Sequence, residues 1–562
     1  MSNKGYDLNK DLLKNHLARF FLVFFGVLFA TFVAWFTNGK SLIGIDDANI
    51  YMVYMRNFAN GHGFVYNIGG ERVEGFTSLL WTVVGASFFS VSNHPEILLL
   101  ISNIIIVSYC LWKLASYLDR YFNDNRLATP FSLLFIGSLV LIPGYFEWTV
   151  LSLMETGLWS CLLILTTLCL LENNKNNHRF VDIKFCMLIT LLVFCRPESM
   201  LWCLFFVAAK FFKVFQNTKS IKQGLLSIVL PLIVFIISLV GLITWREYYF
   251  GFPLPNTFYA KVSSNLVTNF FAGIKYNVSS FHVNPLVLLS LLLVAGNIYA
   301  VSKLKQKSNQ YALFLTGGVA FLTLAIPLYS GGDHFELSRF IQPTTPLILI
   351  ALLLNLNLLK VKVNYYFSVV FLVVFSFANA QSIYMNLKNQ RSLITHEWGT
   401  AKKDRYRSKK LNTFFEKNFQ YPSQGVIAAG GSAFAYKGFT NDLLGLNNVE
   451  MAHASSIKNQ GATKNHASFN KDVFYRQLPD ILWISGGFFE NTAIDKNRVT
   501  INNFTASIVQ DIYKDSKFRE KYSLVVIRNK ELSYSLVVFS SNNFLNSLND
   551  NIYKYKMIEF EG

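Results

Sequence analysis

The stretch IDDANIYMVYMRNFANGHGFVYNIGGERVEGFTSLLW, Ile45 to Trp81, decides how the chain folds. It follows the first long apolar run, yet it is too polar and too rich in glycine to cross a bilayer, which takes about 20 mostly apolar residues. It must therefore lie beside a membrane. Asp46 and Asp47 open it, and Tyr51, Tyr54, Met55 and Phe58 recur at i, i+3, i+4 and i+7, the spacing of an amphipathic helix lying in an interface. The pattern predicts a helix with two acids at its mouth.

Composition agrees with a membrane setting. Of 562 residues, 52% are hydrophobic and only 15% charged, with Phe 53 and Trp 9, a departure from soluble averages toward a polytopic membrane protein. A net charge of +18 would point to nucleic acid in a soluble protein. Here most basic residues sit in short connectors between apolar runs, which is an orientation signal, and no nucleic-acid partner is expected. The six cysteines lie in or beside apolar runs and offer neither a disulfide framework nor zinc-ligand spacing. The N-terminal run is long and lacks a small-residue cleavage site, so an uncleaved anchor is expected.

Apolar runs over 20–37, 97–117, 129–146, 156–172, 181–195, 199–215, 223–245, 285–302, 310–329, 340–358 and 363–384 predict about eleven spans. The segment FTSLLWTVVGASFFSVS (76–92) is assigned by charge. If it crossed, the basic connectors would alternate between sides. If it dips in or lies on the surface, Lys113, Arg120, Arg126, Lys175, Arg179, Lys210, Lys213, Lys219, Lys222, Lys303, Lys305, Lys307, Lys360 and Lys362 all share the cytoplasmic face. The second alternative is expected, and it makes 38–96 the first exoplasmic loop.

The opposite face then collects five polar patches: the opening stretch, EWTVLSLMETG (147–157), RPES (196–199), LPNTFYAK (254–261) and SGGDHFELSR (330–339). Their convergence with charges at the membrane edge predicts a site. In this division residues 1–384 form the membrane body and 385–562 a soluble exoplasmic domain without disulfides. VIAAGGSAFAY (426–436) is expected to be a buried strand running into a Gly-rich turn, with LPDILWISGG (478–487) and YSLVVIRN (522–529) as further strands of an α/β or α+β module. The basic run Lys402, Lys403, Arg405, Arg407, Lys409 and Lys410 follows the last span and opposes the charge rule, which weakens with distance from a span.

An ordered set of motifs carries a family likeness: Asp46-Asp47 after the first span, NGHGFVYNIGGERVEGFTSLLW (60–81), METG (154–157), RPE (196–198), NTFYAK (256–261), GGD followed by Arg339, and in the tail DLLGLNNVEMAHA (442–454) and KNH (464–466). Together they resemble the membrane arabinofuranosyltransferases typified by the mycobacterial terminal β-1,2-arabinofuranosyltransferase family, in the GT-C superfamily. The chain departs from that family's Asn-Pro-Gly at Asn67-Ile68-Gly69 and between Asp333 and Arg339. The resemblance implies a GT-C body in a bacterial inner membrane. It also implies a catalytic Asp in the first exoplasmic loop, and transfer of a sugar such as arabinofuranose from a polyprenyl phosphate to an envelope glycan or surface-protein acceptor. Candidate substrate contacts on or beside the matching motifs are Arg56, Asn67, Glu74, Glu155, Thr156, Arg196, Glu198, Asn256, Tyr259, Lys261, Asp333, His334 and Arg339.

Such chemistry needs few parts. One carboxylate takes the proton of the attacking hydroxyl in an inverting displacement. The phosphate already leaves readily and needs cationic stabilisation, for which Lys261, Arg196, Arg339 and His334 are the candidates. Asp46 is expected to be the base, needing no large pKa shift, and Asp47 a helix cap or second ligand. Paired acids with Asp333 or Glu155 could hold Mg²⁺ or Mn²⁺. Capping competes for Glu155 and Thr156, snorkelling for Arg196, interface anchoring for Tyr259, and a turn for Asp333. A transporter or flippase of lipid-linked sugars is the alternative function, and it would favour charges in mid-span and paired broken helices.

Overall fold

The computed structural model describes residues 3–122, 130–172, 178–261, 266–303, 307–358, 364–418, 420–454, 468–490 and 500–559. Arg126, Lys175, Lys305, Lys360, Lys362 and the KNH at 464–466 lie outside the described residues. In chain order the first helices are α1 (Asn3–Thr37), α2 (Asp46–Ala59), α3 (Leu79–Val91), α4 (Pro95–Tyr121), α5 (Pro130–Leu141), α6 (Thr156–Leu171), α7 (His178–Cys195) and α8 (Ser199–Thr218). They are followed by α9 (Ile221–Phe250), α10 (Asn256–Lys261), α11 (Leu266–Val283), α12 (Pro285–Lys303), α13 (Lys307–Ser330), α14 (Thr345–Leu358), α15 (Tyr365–Asn389) and α16 (Thr395–Phe414).

Every apolar run of the sequence coincides with a helix. Among the described residues, those of α1, α4, α8, α9 and α13 are long and apolar enough to cross a membrane. α6 is shorter and is buried along almost its whole length, because α4, α7 and α8 surround it. α3, at 13 residues, rises about 20 Å against a hydrocarbon core of about 30 Å, too little to span. α11 was not expected. Its apolar residues Leu266, Phe270, Ile274 and Val278 recur every fourth position and face outward, so no continuous apolar run announces it.

Two other expectations change. α2 does not lie in an interface with one face wet; Ala48 to Met55 are all buried, enclosed by α3, α16 and the C-terminal region. Cys110 of α4 and Cys161 of α6 are disulfide-bonded, because the packing of the two helices joins positions 51 residues apart that no spacing rule links.

Beyond α16 the chain builds a six-stranded mixed sheet from β1 (Gln424–Val426), β2 (Thr440–Asp442), β3 (Ile481–Glu490), β4 (Tyr522–Asn529), β5 (Tyr534–Ser541) and β6 (Tyr553–Met557), ordered β2-β1-β3-β5-β4-β6. β1 pairs in parallel with both its neighbours, and the remaining pairings are antiparallel. The glycines after β1 do not form a turn: they start a helix, α17 (Ala429–Ala435), that packs against α2. One face of the sheet covers a core of its own, with Phe474, Leu482, Tyr522 and Phe539. The other shares a core with the first loop, in which Tyr54, Phe76, Trp148 and Trp398 join Val426, Trp483 and Val538.

Candidate functional site

The five polar patches meet. Ile45 N–H donates to Ser152 O (3.4 Å) and Asn256 N–H to Glu74 O (3.1 Å). Trp81 Nε1 donates to Leu153 O (3.1 Å), and Trp148 Nε1 to Glu336 O (3.1 Å). Arg196 pairs with Glu155. These bonds tie the first loop to segments that follow α5, α7, α9 and α13.

At their centre stands a charged cluster from three elements. Asp47 Oδ2, in the first turn of α2, lies 3.4 Å from Arg339 Nη1 and 3.9 Å from Lys261 Nζ, at the end of α10. Arg339 is bound on its other side by Asp333 Oδ2, at 2.6 Å from Nη2 and 2.8 Å from Nε. His334 Nδ1 is 3.3 Å from Asp333 Oδ1. Two consecutive left-handed residues, Leu337 (φ 57) and Ser338 (φ 56), aim Arg339 into the cluster. Such backbone costs about 1–3 kcal/mol per residue and persists only where the surroundings enforce it. Gln342 does so by donating to Leu337 O at 2.8 Å. The guanidinium lies over Phe335 (3.9 Å to the ring centre) and Trp148 (5.8 Å), aromatic partners that the motifs do not mark.

The electrostatics divide the acids. Burial pushes the Asp47 carboxyl up, but Lys261, Arg339 and His334 together hold it below the ordinary range. Burial also acts on Asp333, and Arg339 with His334 overrides it, leaving the carboxyl well below its usual value. Asp47, Lys261 and His334 each keep about a fifth of their side chain exposed, 22%, whereas Asp333 keeps 3%. Asp47 is thus an ionised carboxylate partly open between cations.

Asp46 points elsewhere. Its Oδ2 accepts from Gly430 N–H (2.9 Å) and its Oδ1 from Gly431 N–H (2.7 Å), at the start of α17. Neither aspartate caps α2, whose first residue Asp46 is. The approach is close enough to require glycine: a Cβ on Gly430 would fall 1.8 Å from Asp46 O. The expectation of an unshifted Asp46 gives way as well. Burial, then Asp404, raises its pKa to about 7, against the two amides, which favour the charged form.

Most of the other candidates dock the C-terminal region or lock the loop. Asn67 both donates to Thr440 O and accepts from Thr440 N–H, each at 3.0 Å. Asn256 Nδ2 donates to Gly445 O (2.7 Å) and Leu446 O (3.1 Å). Arg56 donates to Phe434 O (2.7 Å), and Tyr259 packs on the ring of His453 at 4.2 Å. Glu74 accepts three hydrogen bonds of 2.8–3.1 Å from Arg246 of α9, a partner the sequence does not mark. Arg196 is neither snorkelling nor free, because Glu198 binds it at 3.0 and 3.1 Å alongside Glu155. Thr156 Oγ1, next in sequence to Glu155, is buried with no hydrogen-bond partner among the described residues.

The residues do not fit a divalent ion. Arg339 lies between Asp47 and Asp333 where such an ion would bridge them, and Asp46 has both oxygens on amides. Among the described residues no three metal-ligating side chains converge.

No protein-family profile and no curated protein sequence matches the chain. Its structure is similar to that of the oligosaccharyltransferase from Archaeoglobus fulgidus in the apo form, with a TM-score of 0.50 and 10% identity over 90% of this chain and 79% of that one. The complex of that oligosaccharyltransferase with Zn and sulfate aligns at a TM-score of 0.46 and 10% identity, covering 91% and 72%. The chain is a polytopic α-helical membrane protein of the GT-C fold with a C-terminal sheet region.

Proposed function

We propose that the chain is a membrane glycosyltransferase that uses a polyprenyl-phosphate sugar, with Asp47 as the general base. The observation that carries this reading is Asp47 itself, an ionised and partly open carboxylate flanked by Lys261 and Arg339. The acceptor hydroxyl attacks the anomeric carbon from the side opposite the phosphate. Its C–O bond forms as the bond to phosphate breaks, the electron pair leaves with the phosphate, and the configuration inverts. Because its pKa is depressed, Asp47 is a weak base and accepts the proton late, once bond formation has acidified the hydroxyl. Lys261 and Arg339 supply charge to the departing phosphate, His334 stands beside them as a hydrogen-bonding group, and Asp333 orients Arg339.

The ordered motif set supports a pentofuranose such as arabinofuranose as the sugar and an envelope glycan as the acceptor. It also supports a bacterial inner membrane, with the cluster and the residues from about 385 onward on the exoplasmic side. The reaction is tested with the purified protein in nanodiscs, polyprenyl-phosphate arabinofuranose and a hydroxyl acceptor. The expected products, read by mass spectrometry, are an acceptor heavier by one pentose and free polyprenyl phosphate. Intact donor after prolonged incubation with every acceptor would overturn the proposal.

A further inference from the structure

A cavity of about 730 Å³ opens between the end of α2 and the sheet region, within the roughly 300–1,000 Å³ of ligand pockets. Arg56 and Asn57 line it from the first loop, and Tyr421, Lys437, Phe439 and Asp480 from the C-terminal region. It does not belong to the charged cluster. Nine helical steps separate Arg56 from Asp47, about 14 Å at 1.5 Å per step.

We propose that this cavity holds a glycan chain of the acceptor, several sugar units from the attacked hydroxyl. The inference rests on the glycosyltransferase reading of the Asp47 cluster and extends it to the acceptor. Sugar rings present C–H groups that pack on the electron-rich faces of aromatic rings, and hydroxyls that both donate and accept. The cavity offers each partner. Phe439 is 45% exposed, and Tyr421 lines the same cavity. The guanidinium of Arg56 donates to Phe434 O and has no carboxylate partner among the described residues. Asp480 uses Oδ2 to accept from Ser423 N–H and Oγ–H, both at 2.8 Å, leaving Oδ1 as an acceptor.

The same geometry disfavours an extended peptide. A peptide would add to the sheet at its edge strand β2, but the backbone N–H and C=O of Thr440 are already taken by the Asn67 side chain. A lipid phosphate would call for cations without Asp480 beside them. The 14 Å separation then makes a chain-length prediction: an acceptor of one or two sugars cannot reach both sites, whereas a longer one can.

The test uses the full-length protein in nanodiscs and linear arabinofuranosyl oligosaccharides of two and six units, with a six-residue extended peptide as the competitor class. Titration calorimetry without donor should show the hexasaccharide binding at least tenfold more tightly than the disaccharide. Phe439→Ala and Tyr421→Ala, both at positions that are not fully buried, should each remove about tenfold of hexasaccharide affinity. In turnover the same variants should raise the KM of the hexasaccharide about tenfold more than that of the disaccharide. Equal affinity for both lengths, binding of the peptide alone, or hexasaccharide binding indifferent to both variants would overturn the inference. Because the titration needs no donor, it separates this outcome from a failure of the transfer reaction itself.

Discussion

The two sides of the α2 N-terminus carry adjacent aspartates with opposite fates. On one side Asp46 is sealed against α17, both oxygens satisfied by amides, its carboxyl pushed up to about 7 by burial and by Asp404. On the other, Asp47 faces Lys261, Arg339 and part of the solvent, and stays below the ordinary range. Neighbouring residues on a helix point about 100° apart, so one turn of backbone can dock a domain with one acid and present the other. What separates them is whom each side chain meets.

The largest effect expected from this contrast is at the open side. Asp47→Asn keeps size and polarity but removes proton acceptance, so turnover should fall about 10²- to 10⁴-fold while donor binding survives. Asp46→Asn should keep most of its turnover. Single-turnover assays of the two variants side by side check this, and equal losses would show that the acids act as one unit.

The buried lock between the first loop and α9 predicts a stability effect instead. Arg246→Ala leaves Glu74 buried without its partner, both side chains being at most 2% exposed, and breaking such a pair costs about 3–5 kcal/mol. Thermal unfolding in detergent should show a large drop in midpoint. A stable Arg246→Ala protein would mean that the loop does not depend on this lock.

Much of this arrangement was legible, and the limits have physical causes. Apolar runs report burial in lipid directly, so every one of them marks a helix. The convergence of the polar patches was expected from assigning those loops to one face of a membrane. The roles of Asn67, Glu74 and Asn256 were not legible, because their partners Thr440, Arg246 and Gly445 are 172 to 373 residues away and carry no local signal. β5, which repeats the short apolar run seen in β4, could have been read from YSLVVFSS; the three-residue β2 could not. The basic run of α16 now has an account. Arg405 reaches Glu96 (2.7 Å) and Asn49 and so joins the helix to the first loop, whereas Arg407 pairs with Asp404 within α16.

A smaller effect is expected at the cation that closes the open side. Lys261 is 3.9 Å from Asp47 with 22% of its side chain exposed, so its removal should leave the fold intact. A charge-assisted hydrogen bond contributes about 1.5–3 kcal/mol, and Lys261→Ala should raise the donor KM roughly 10- to 100-fold. Unchanged donor KM would take Lys261 out of the phosphate site.

The smallest effect is the pH response of the sealed side, and its sign follows from Asp46. With a folded pKa raised to about 7 from an ordinary 3.8, the folded protein binds more protons than the unfolded chain between those values. The stability Asp46 contributes is therefore fully present below about pH 4 and is lost as pH rises through 7. Burial drives the shift, with Asp404 and Asp47 adding negative charge, the amides of Gly430 and Gly431 opposing it, and Arg405 and Arg407 lying within reach of its field. Asp46→Asn removes that titration. Its Oδ1 can still accept one of the two amides, while its Nδ2 cannot accept the other, so the variant should lose about 1–3 kcal/mol at pH 7. Unfolding midpoints between pH 5 and 8 should fall less steeply for the variant than for the parent. Asp404, Glu74 and Asp442, each raised by burial, contribute to the slope that remains. Parallel curves for the two proteins would place the titrating group elsewhere, and a midpoint for Asp46→Asn that falls more steeply would mean that the parent carboxylate docks α17 better charged than neutral.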